Sequence, residues 1–189
     1  MKDLATTIEK CCKNDRNAQE ALYRAHFNFL MSICYRYESN QQDTIALVNE
    51  VYLKILNNLT IFNVNQPFLP WIKRIAINAC IDYLRQKHRL NGQVVLLNEE
   101  QWEKENDVHV YDEAIAADLS YETLLTLLNK LAEPERTVFN LYAIDDYSHK
   151  EIAETLGISE RTSKRHVQRA RMYLQNLIKK HVPELNGAS

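Results

Sequence analysis

Residues Tyr147 to Leu177 read YSHKEIAETLGISERTSKRHVQRARMYLQNL, two helical patterns that meet at a single glycine. The first begins at Ser148 with Glu151 three residues on, a capping-box spacing in which each side chain satisfies an otherwise orphaned backbone N–H. Ile152, Ala153 and Leu156 give it an apolar face. Gly157 ends it, because glycine enters a left-handed C′ conformation without a Cβ penalty. Ile158 can plug the corner, and Ser159 caps a second, longer helix. At about 100° per residue, Ser163, Val167, Ala170, Leu174 and Leu177 fall in one stripe of that helix. Arg161, Lys164, Arg165, Gln168 and Met172 fall opposite, with Arg169 and Arg171 at their flanks.

Two readings fit a helix with one packing stripe and one basic stripe. A solvated helix has such charges, and so does the second helix of a helix-turn-helix, which enters the DNA major groove. Cap, glycine corner, apolar stripe and basic stripe agree on the second reading. Arg, Lys and Gln can read base edges there while flanking arginines hold phosphates. The candidate DNA-binding residues of this stretch are Ser148, Lys150, Arg161, Thr162, Lys164, Arg165, Gln168, Arg169 and Arg171.

The remaining residues set the class. Three glycines and four prolines in 189 residues, with strong 3.6-residue periodicity, predict an all-α protein of one ordinary domain or two small ones. The formal net charge of −2 hides an asymmetry. Residues 1–92 hold 12 Lys/Arg against 8 Asp/Glu, residues 93–130 hold 2 against 9, and residues 131–189 hold 9 against 8. An acidic middle thus separates two neutral-to-basic ends. Cys11, Cys12, Cys34 and Cys80 form no C-x-x-C pair and have no histidine at metal-ligand spacing, so no metal site is expected. Cys34 and Cys80 read as core thiols. The N-terminus lacks an apolar signal region and no apolar run has membrane-spanning length, which predicts a cytoplasmic protein without membrane insertion. No glycine-rich phosphate loop, H-E-x-x-H or G-x-S-x-G occurs, so neither catalytic residues nor a cofactor are expected.

In chain order, periodicity predicts helices over Ala18–Tyr37 and over Thr44–Leu59, the latter capped by Asp43. A loop, TIFNVNQPFLP, follows with Phe62 and Phe68 reading as exposed. Trp71 opens the next helix, with Ile72, Ile75, Ala76, Ala79, Cys80, Tyr83 and Leu84 inward. Lys73, Arg74, Asn78, Arg85, Lys87 and Arg89 lie outward. Its cationic end suits the helix dipole. A basic helix beside an aromatic loop also suits single-stranded nucleic acid, whose bases stack on rings. Residues 91–118 read as an acidic linker with local packing from Val94, Leu96, Trp102 and Tyr111. Helices follow over Leu119–Leu131 and Arg136–Ile144, with Pro134 suited to a first helical position.

Two parts of the chain carry a resemblance. LLNKLAEPERTVFNLYAIDDYSHKEIAETLGISERTSKRHVQRARMYLQNL resembles region 4 of the extracytoplasmic-function (ECF) sigma factors of the sigma-70 family. ALYRAHFNFL, ALVNEVYLKIL and PFLPWIKRIAINACIDYLRQKHR are similar to region 2, most closely in the W-[LI]-x-x-I-A-x-N-x-x-I-D-x-x-R run at Trp71–Arg85. The resemblance implies two helical domains joined by a linker. Residues 1–90 would bind core RNA polymerase through its β′ clamp and melt the −10 element. Residues 119–180 would read the −35 element, and residues 181–189 form a tail. It implies contacts with the β′ and β subunits of bacterial RNA polymerase, with promoter DNA and with an anti-sigma factor. By motif position, Phe62, Phe68, Trp71, Arg74, Asn78, Arg85, Lys87 and Arg89 would serve the −10 element. Leu47, Glu50 and Val51 would serve polymerase binding.

The chain departs from the family pattern in places. DTIALVNEVY stands for D-A-E-D-L-V-Q-E-V-F, with Ile45 and Ala46 for two acids and Asn49 for glutamine. Ala132 replaces a proline, Asp145-Asp146 replaces an acidic-Gly pair, and Ser163 replaces valine on the packed stripe. A serine there can bond a carbonyl one turn back. Two alternatives remain open at this point. One is a LuxR-type regulator, which shares the helix-turn-helix, and the other is a polymerase-binding sigma mimic.

Overall fold

The structure, a computed structural model, describes residues 2–90 and 121–186, and all regular structure among them is helical. The chain divides into two compact units, Met1–Leu90 and Asn91–Ser189. The expected acidic linker at 91–118, with Val94, Leu96, Trp102 and Tyr111, lies outside the described residues.

The first unit holds α1 (Lys2–Cys12), α2 (Arg16–Cys34), α3 (Gln41–Asn58), a 3₁₀ turn (Leu59–Ile61) and α4 (Phe68–Leu90). Asn14 takes a left-handed conformation at φ 61°. It donates to the Cys11 carbonyl at 2.9 Å, and Asp15 N–H donates to that of Lys10 at 3.1 Å, a Schellman closure that ends α1. The Asp15 carboxylate then caps α2 by accepting from Ala18 N–H at 3.0 Å. The third helix starts earlier than periodicity predicts. Its cap is Asn40, which accepts from both Gln42 and Asp43 N–H, so Asp43 becomes a first-turn acid at the positive end of the dipole. The fourth helix likewise starts at Phe68, with Pro70 in its first turn where no intrahelical N–H bond is needed.

The core of this unit joins α2, α3 and α4. Leu30, Val48, Val51, Ile72, Ala76 and Cys80 are fully buried in it. The Cys34 and Cys80 sulfurs meet there at 3.9 Å as free thiols. Tyr52 donates to the Gln19 carbonyl, and burial pushes its phenol up to about 12. Leu47 and Val51, expected to touch polymerase, are 2% and 0% exposed. They point inward because α3 needs an apolar stripe for two neighbours, and only Glu50 of that trio faces solvent.

Glu38 is the one carboxylate buried to 5% exposure in the turn between α2 and α3. It accepts from Asn40 N–H at 2.9 Å, from Tyr83 Oη at 2.9 Å and from Lys87 Nζ at 2.6 Å. Burial raises its pKa, but the bonds from Lys87, Asn40 and Tyr83 outweigh that and hold the carboxyl below its ordinary value. Lys87, expected on the nucleic-acid face, is therefore an internal partner that ties α4 to the turn.

The second unit holds α5 (Tyr121–Leu128), α6 (Glu133–Phe139), a π-helical turn (Asn140–Ile144), α7 (His149–Leu156) and α8 (Glu160–Asn186). Pro134 sits in the first turn of α6 behind Ala132, whose side chain makes no cap bond. The helix predicted over Arg136–Ile144 is thus two pieces, because Asp145 N–H reaches back five residues to the Asn140 carbonyl at 3.0 Å. Leu128, Leu131 and Ala170 form a core with Leu125, Phe139 and Leu174 packed on it. The tail expected from residue 181 is helical to Asn186, past Pro183. A proline there forfeits only one backbone bond near the helix end.

Replacing Glu38 with Ala is expected to destabilise the protein by about 1–2 kcal/mol, since three donors lose their acceptor while partly solvated Lys87 recovers water. Its folded pKa being lowered, the Glu38 contribution is full above the ordinary value of 4.5 and is lost as pH falls through the folded value. Urea unfolding of wild type and Glu38→Ala at pH 7 and pH 3.5 checks both points: the difference is expected to shrink at the lower pH.

Candidate nucleic-acid interface

The corner of the second unit is built from backbone. Ser148 Oγ accepts from Glu151 N–H at 3.2 Å while Glu151 Oε2 accepts from Ser148 N–H at 2.8 Å, a complete capping box that opens α7. Gly157 ends it at φ 71° and ψ 35°. The Ala153 carbonyl accepts from both Gly157 N–H at 2.9 Å and Ile158 N–H at 3.1 Å. Ser159 Oγ then accepts from Thr162 N–H at 3.0 Å and launches α8.

The stripes of α8 divide as the spacing predicts. Ser163, Val167 and Ala170 are buried, and Arg161, Lys164, Arg165 and Gln168 are exposed beside half-buried Arg169 and Arg171. Lys150 is exposed on α7. Three expected contacts have internal roles. Thr162 is 8% exposed and its hydroxyl bonds Ser159 Oγ at 2.7 Å, so it belongs to the cap. The exposed Ser148 hydroxyl is engaged by Glu151 at 2.7 Å. The Arg171 guanidinium lies over the Tyr142 ring, 5.5 Å from its centroid. Ser163 does not bond a carbonyl in the way its position suggested. Its hydroxyl lies 2.9 Å from His149 Nδ1. That histidine and Tyr142 were not among the residues singled out in the sequence, and the serine in place of valine was the signal that could have led to them.

Behind the exposed face, His166 Nδ1 and Glu135 Oε1 are 3.1 Å apart and join α8 to α6. Burial raises the Glu135 pKa, but the bond with His166 and the charge of Arg169 prevail and hold it below its ordinary value.

In the first unit, at about 100° per residue, Trp71, Arg74, Asn78, Arg85 and Arg89 fall in one stripe of α4 about 60° wide. Arg74, Asn78, Arg85 and Arg89 are exposed and Trp71 is half-buried. Asp82 borders this stripe, 3.4 Å from both Arg85 Nη1 and Lys54 Nζ. Phe62 and Phe68, expected to be exposed, are 8% and 6% exposed. Their rings pack edge-on at 5.2 Å and both meet Trp71, at 4.8 Å and 5.6 Å, while Phe68 also meets His26 at 5.1 Å. Three large rings bury more apolar area against one another than the loop could leave in water. The apolar groups that the loop and its edges do expose are Ile61, Val64 and Leu69.

No group of His, Cys, Asp or Glu that could hold a metal occurs among the described residues, and none of their helices is long and apolar enough to cross a membrane.

The first unit thus presents a basic amphipathic helix, and the second a capped helix-turn-helix with a cationic outer face. Comparison with known proteins makes the class definite. Residues 22–90 match Sigma-70 region 2 and residues 121–174 match Sigma-70 region 4. The ECF RNA polymerase sigma factor SigW of Bacillus subtilis (strain 168) is 27% identical over 91% of this chain and 95% of its own length. The ECF RNA polymerase sigma-E factor of Haemophilus influenzae is 25% identical over 90% and 93% respectively. Among solved structures, the sigma factor RpoE, in complex with the anti-sigma factor NepR from Bartonella quintana, shares the fold. It has a TM-score of 0.50 and 19% identity, and the match covers 85% of this chain and 96% of that one. The chain belongs to the sigma-70 family of RNA polymerase sigma factors, in its ECF class.

The corner predicts two opposite effects. A Cβ added at Gly157 would meet nothing within 4 Å, so Gly157→Ala carries backbone strain alone and is expected to cost about 1–2 kcal/mol. Asp146 is held left-handed at φ 61° where the family pattern has glycine, so Asp146→Gly is expected to stabilise by about 0.5–1 kcal/mol. Thermal unfolding of the two variants should move in opposite directions.

Proposed function

We propose that this chain directs bacterial RNA polymerase to promoters by dividing the work between its two units. The second reads the −35 element as duplex, and the first engages core polymerase and assists opening of the −10 element. The observation that carries this reading is the occurrence of regions 2 and 4 on one chain in family order. A LuxR-type regulator would share only the second.

On the −35 side, Arg161, Lys164, Arg165 and Gln168 are the base and phosphate contacts, with Lys150 and Arg169 holding the backbone. Their support is exposure on the stripe opposite the buried one. Ser148, Thr162 and Arg171 act indirectly, by shaping the corner. On the −10 side, the stripe of Trp71, Arg74, Asn78, Arg85 and Arg89 faces the melted strand. Phe62 and Phe68 stiffen the loop from beneath, which leaves Trp71 as the aromatic at the surface. A flipped base can offset its unstacking cost of a few kcal/mol against such a wall. Glu50 and the exposed Asn49 and Leu53 of α3 meet polymerase, while Leu47 and Val51 hold that helix in place.

The net charge of −2 fits a subunit that relies on polymerase for electrostatic grip, so the protein by itself binds promoter DNA weakly. An anti-sigma factor is the natural regulatory partner, and the factor acts in the cytoplasm with polymerase. It binds and positions, and catalyses nothing itself.

Run-off transcription with purified core polymerase tests the proposal. Initiation only upon addition of this protein is expected. Duplex binding without polymerase dependence would favour the regulator, and polymerase binding without initiation the mimic. Arg165→Ala is expected to weaken −35-dependent initiation by about 1–3 kcal/mol if it pairs with a base edge. Asn78→Ala should slow open-complex formation and spare −35 affinity, as measured by permanganate footprinting beside a binding assay.

A further inference from the structure

Tyr142, His149, Ser163 and Arg171 come from three elements of the second unit and meet behind its exposed helix face. The Tyr142 and His149 rings stack with centroids 4.3 Å apart and planes 14° from parallel. Arg171 covers Tyr142 at 5.5 Å. His149 Nδ1 lies 2.9 Å from Ser163 Oγ, and Ser163 is 0% exposed. Tyr142 sits in the π turn, and its ring meets the first residue of α7. A valine at position 163 could pack here but could not bond a histidine. The polar pair therefore couples α7 to α8 through a direction-dependent contact.

We infer that His149 is a positioning residue for α8, acting through Ser163 and Tyr142, and that its protonation loosens the recognition helix, so that engagement of the −35 duplex weakens in mild acid. The inference rests on the proposed −35 role of this unit.

The charges that act on the ring are those of Lys164, Glu160 and Arg171 on α8, and the Tyr142 phenol ring on the π turn stacks against it. Within its own helix, His149 stands at the first position of α7, where the positive end of the dipole opposes a cation. Burial, followed by the charge of Lys164 and then that of Arg171, lowers its pKa below 6.5, and Glu160 offsets only part of this. The neutral ring is thus the form the fold selects. With Nε2 protonated, Nδ1 accepts from the Ser163 hydroxyl. A proton added at Nδ1 turns that acceptor into a donor, so the buried hydroxyl must rotate and find another partner, and a new cation faces Lys164 and Arg171. The sign follows from the lowered pKa. The neutral ring's contribution is full above 6.5 and is lost as pH falls through that value toward the folded one.

Two readouts on the full chain test this. The first is hydrogen exchange of α8 amides, corrected for intrinsic rates, in wild type and His149→Gln from pH 7.5 to 5.5. Wild-type protection is expected to fall about threefold more than that of the glutamine variant, which cannot acquire the charge. Ser163→Ala should bring the two profiles together. The second is the pH profile of run-off transcription with core polymerase from a promoter with a −35 element, each variant scaled to its own pH 7.5 value. The wild type should decline more steeply, and His149→Gln should be flatter. Coincident exchange profiles overturn the inference whatever transcription does, and so does a wild type that initiates better in acid, the sign expected if the imidazolium instead served DNA phosphate. Exchange as expected with no initiation at any pH leaves the joint standing and removes the promoter reading.

Discussion

One carbonyl organises the second unit. The oxygen of Ala153 accepts from Gly157 and from Ile158, and these two bonds end one helix and set the direction of the next. They form only if residue 157 takes a left-handed conformation, which an L side chain resists by about 1–2 kcal/mol. Everything downstream inherits that geometry. Ser159 can cap α8 because the corner delivers it to the helix start, and the apolar stripe can seat Ala170 against Leu128 and Leu131 because the cap fixes the helix phase. A cationic face that points outward is then a by-product of what points inward.

The first unit depends on a different kind of constraint, the satisfaction of one buried carboxylate. Glu38 gathers donors from the turn that precedes α3 and from the far end of α4. It engages Lys87, which lies on the opposite side of α4 from the exposed stripe. What remains outward on α4 is a narrow row of Arg74, Asn78, Arg85 and Arg89 under Trp71, with Asp82 tempering its charge. A carboxylate beside a cationic row lowers non-specific attraction to phosphate and leaves selective contacts relatively stronger.

The helices and the α8 stripes were legible in the sequence because they rest on periodicity and on local capping chemistry, both short-range. Ser148, Glu151, Gly157 and Ser159 each act within four residues of themselves. What was not legible rests on contacts far apart in the chain. Phe62 and Phe68 read as exposed because a loop between helices usually is, yet His26 and Trp71 enclose them. Leu47 and Val51 carried the family's polymerase positions, but burial claims them. Lys87 matched a cationic helix end, and only its partner 49 residues away reassigns it. The pairing of Ser163 with His149 needed the corner already folded, and a π turn has no sequence signature at all.

The exposure pattern of α8 has an evolutionary reading. The groups that hold the helix, Thr162, Ser163, Val167 and Ala170, are buried, while Arg161, Lys164, Arg165 and Gln168 are in solvent. Substitutions at such exposed positions usually change folding free energy by within about 0.5 kcal/mol. Drift in what the helix presents to solvent therefore meets almost no resistance from folding, whereas drift in how it is held does. Duplicated copies of such a chain could remodel that exposed face one side chain at a time, without passing through an unstable intermediate.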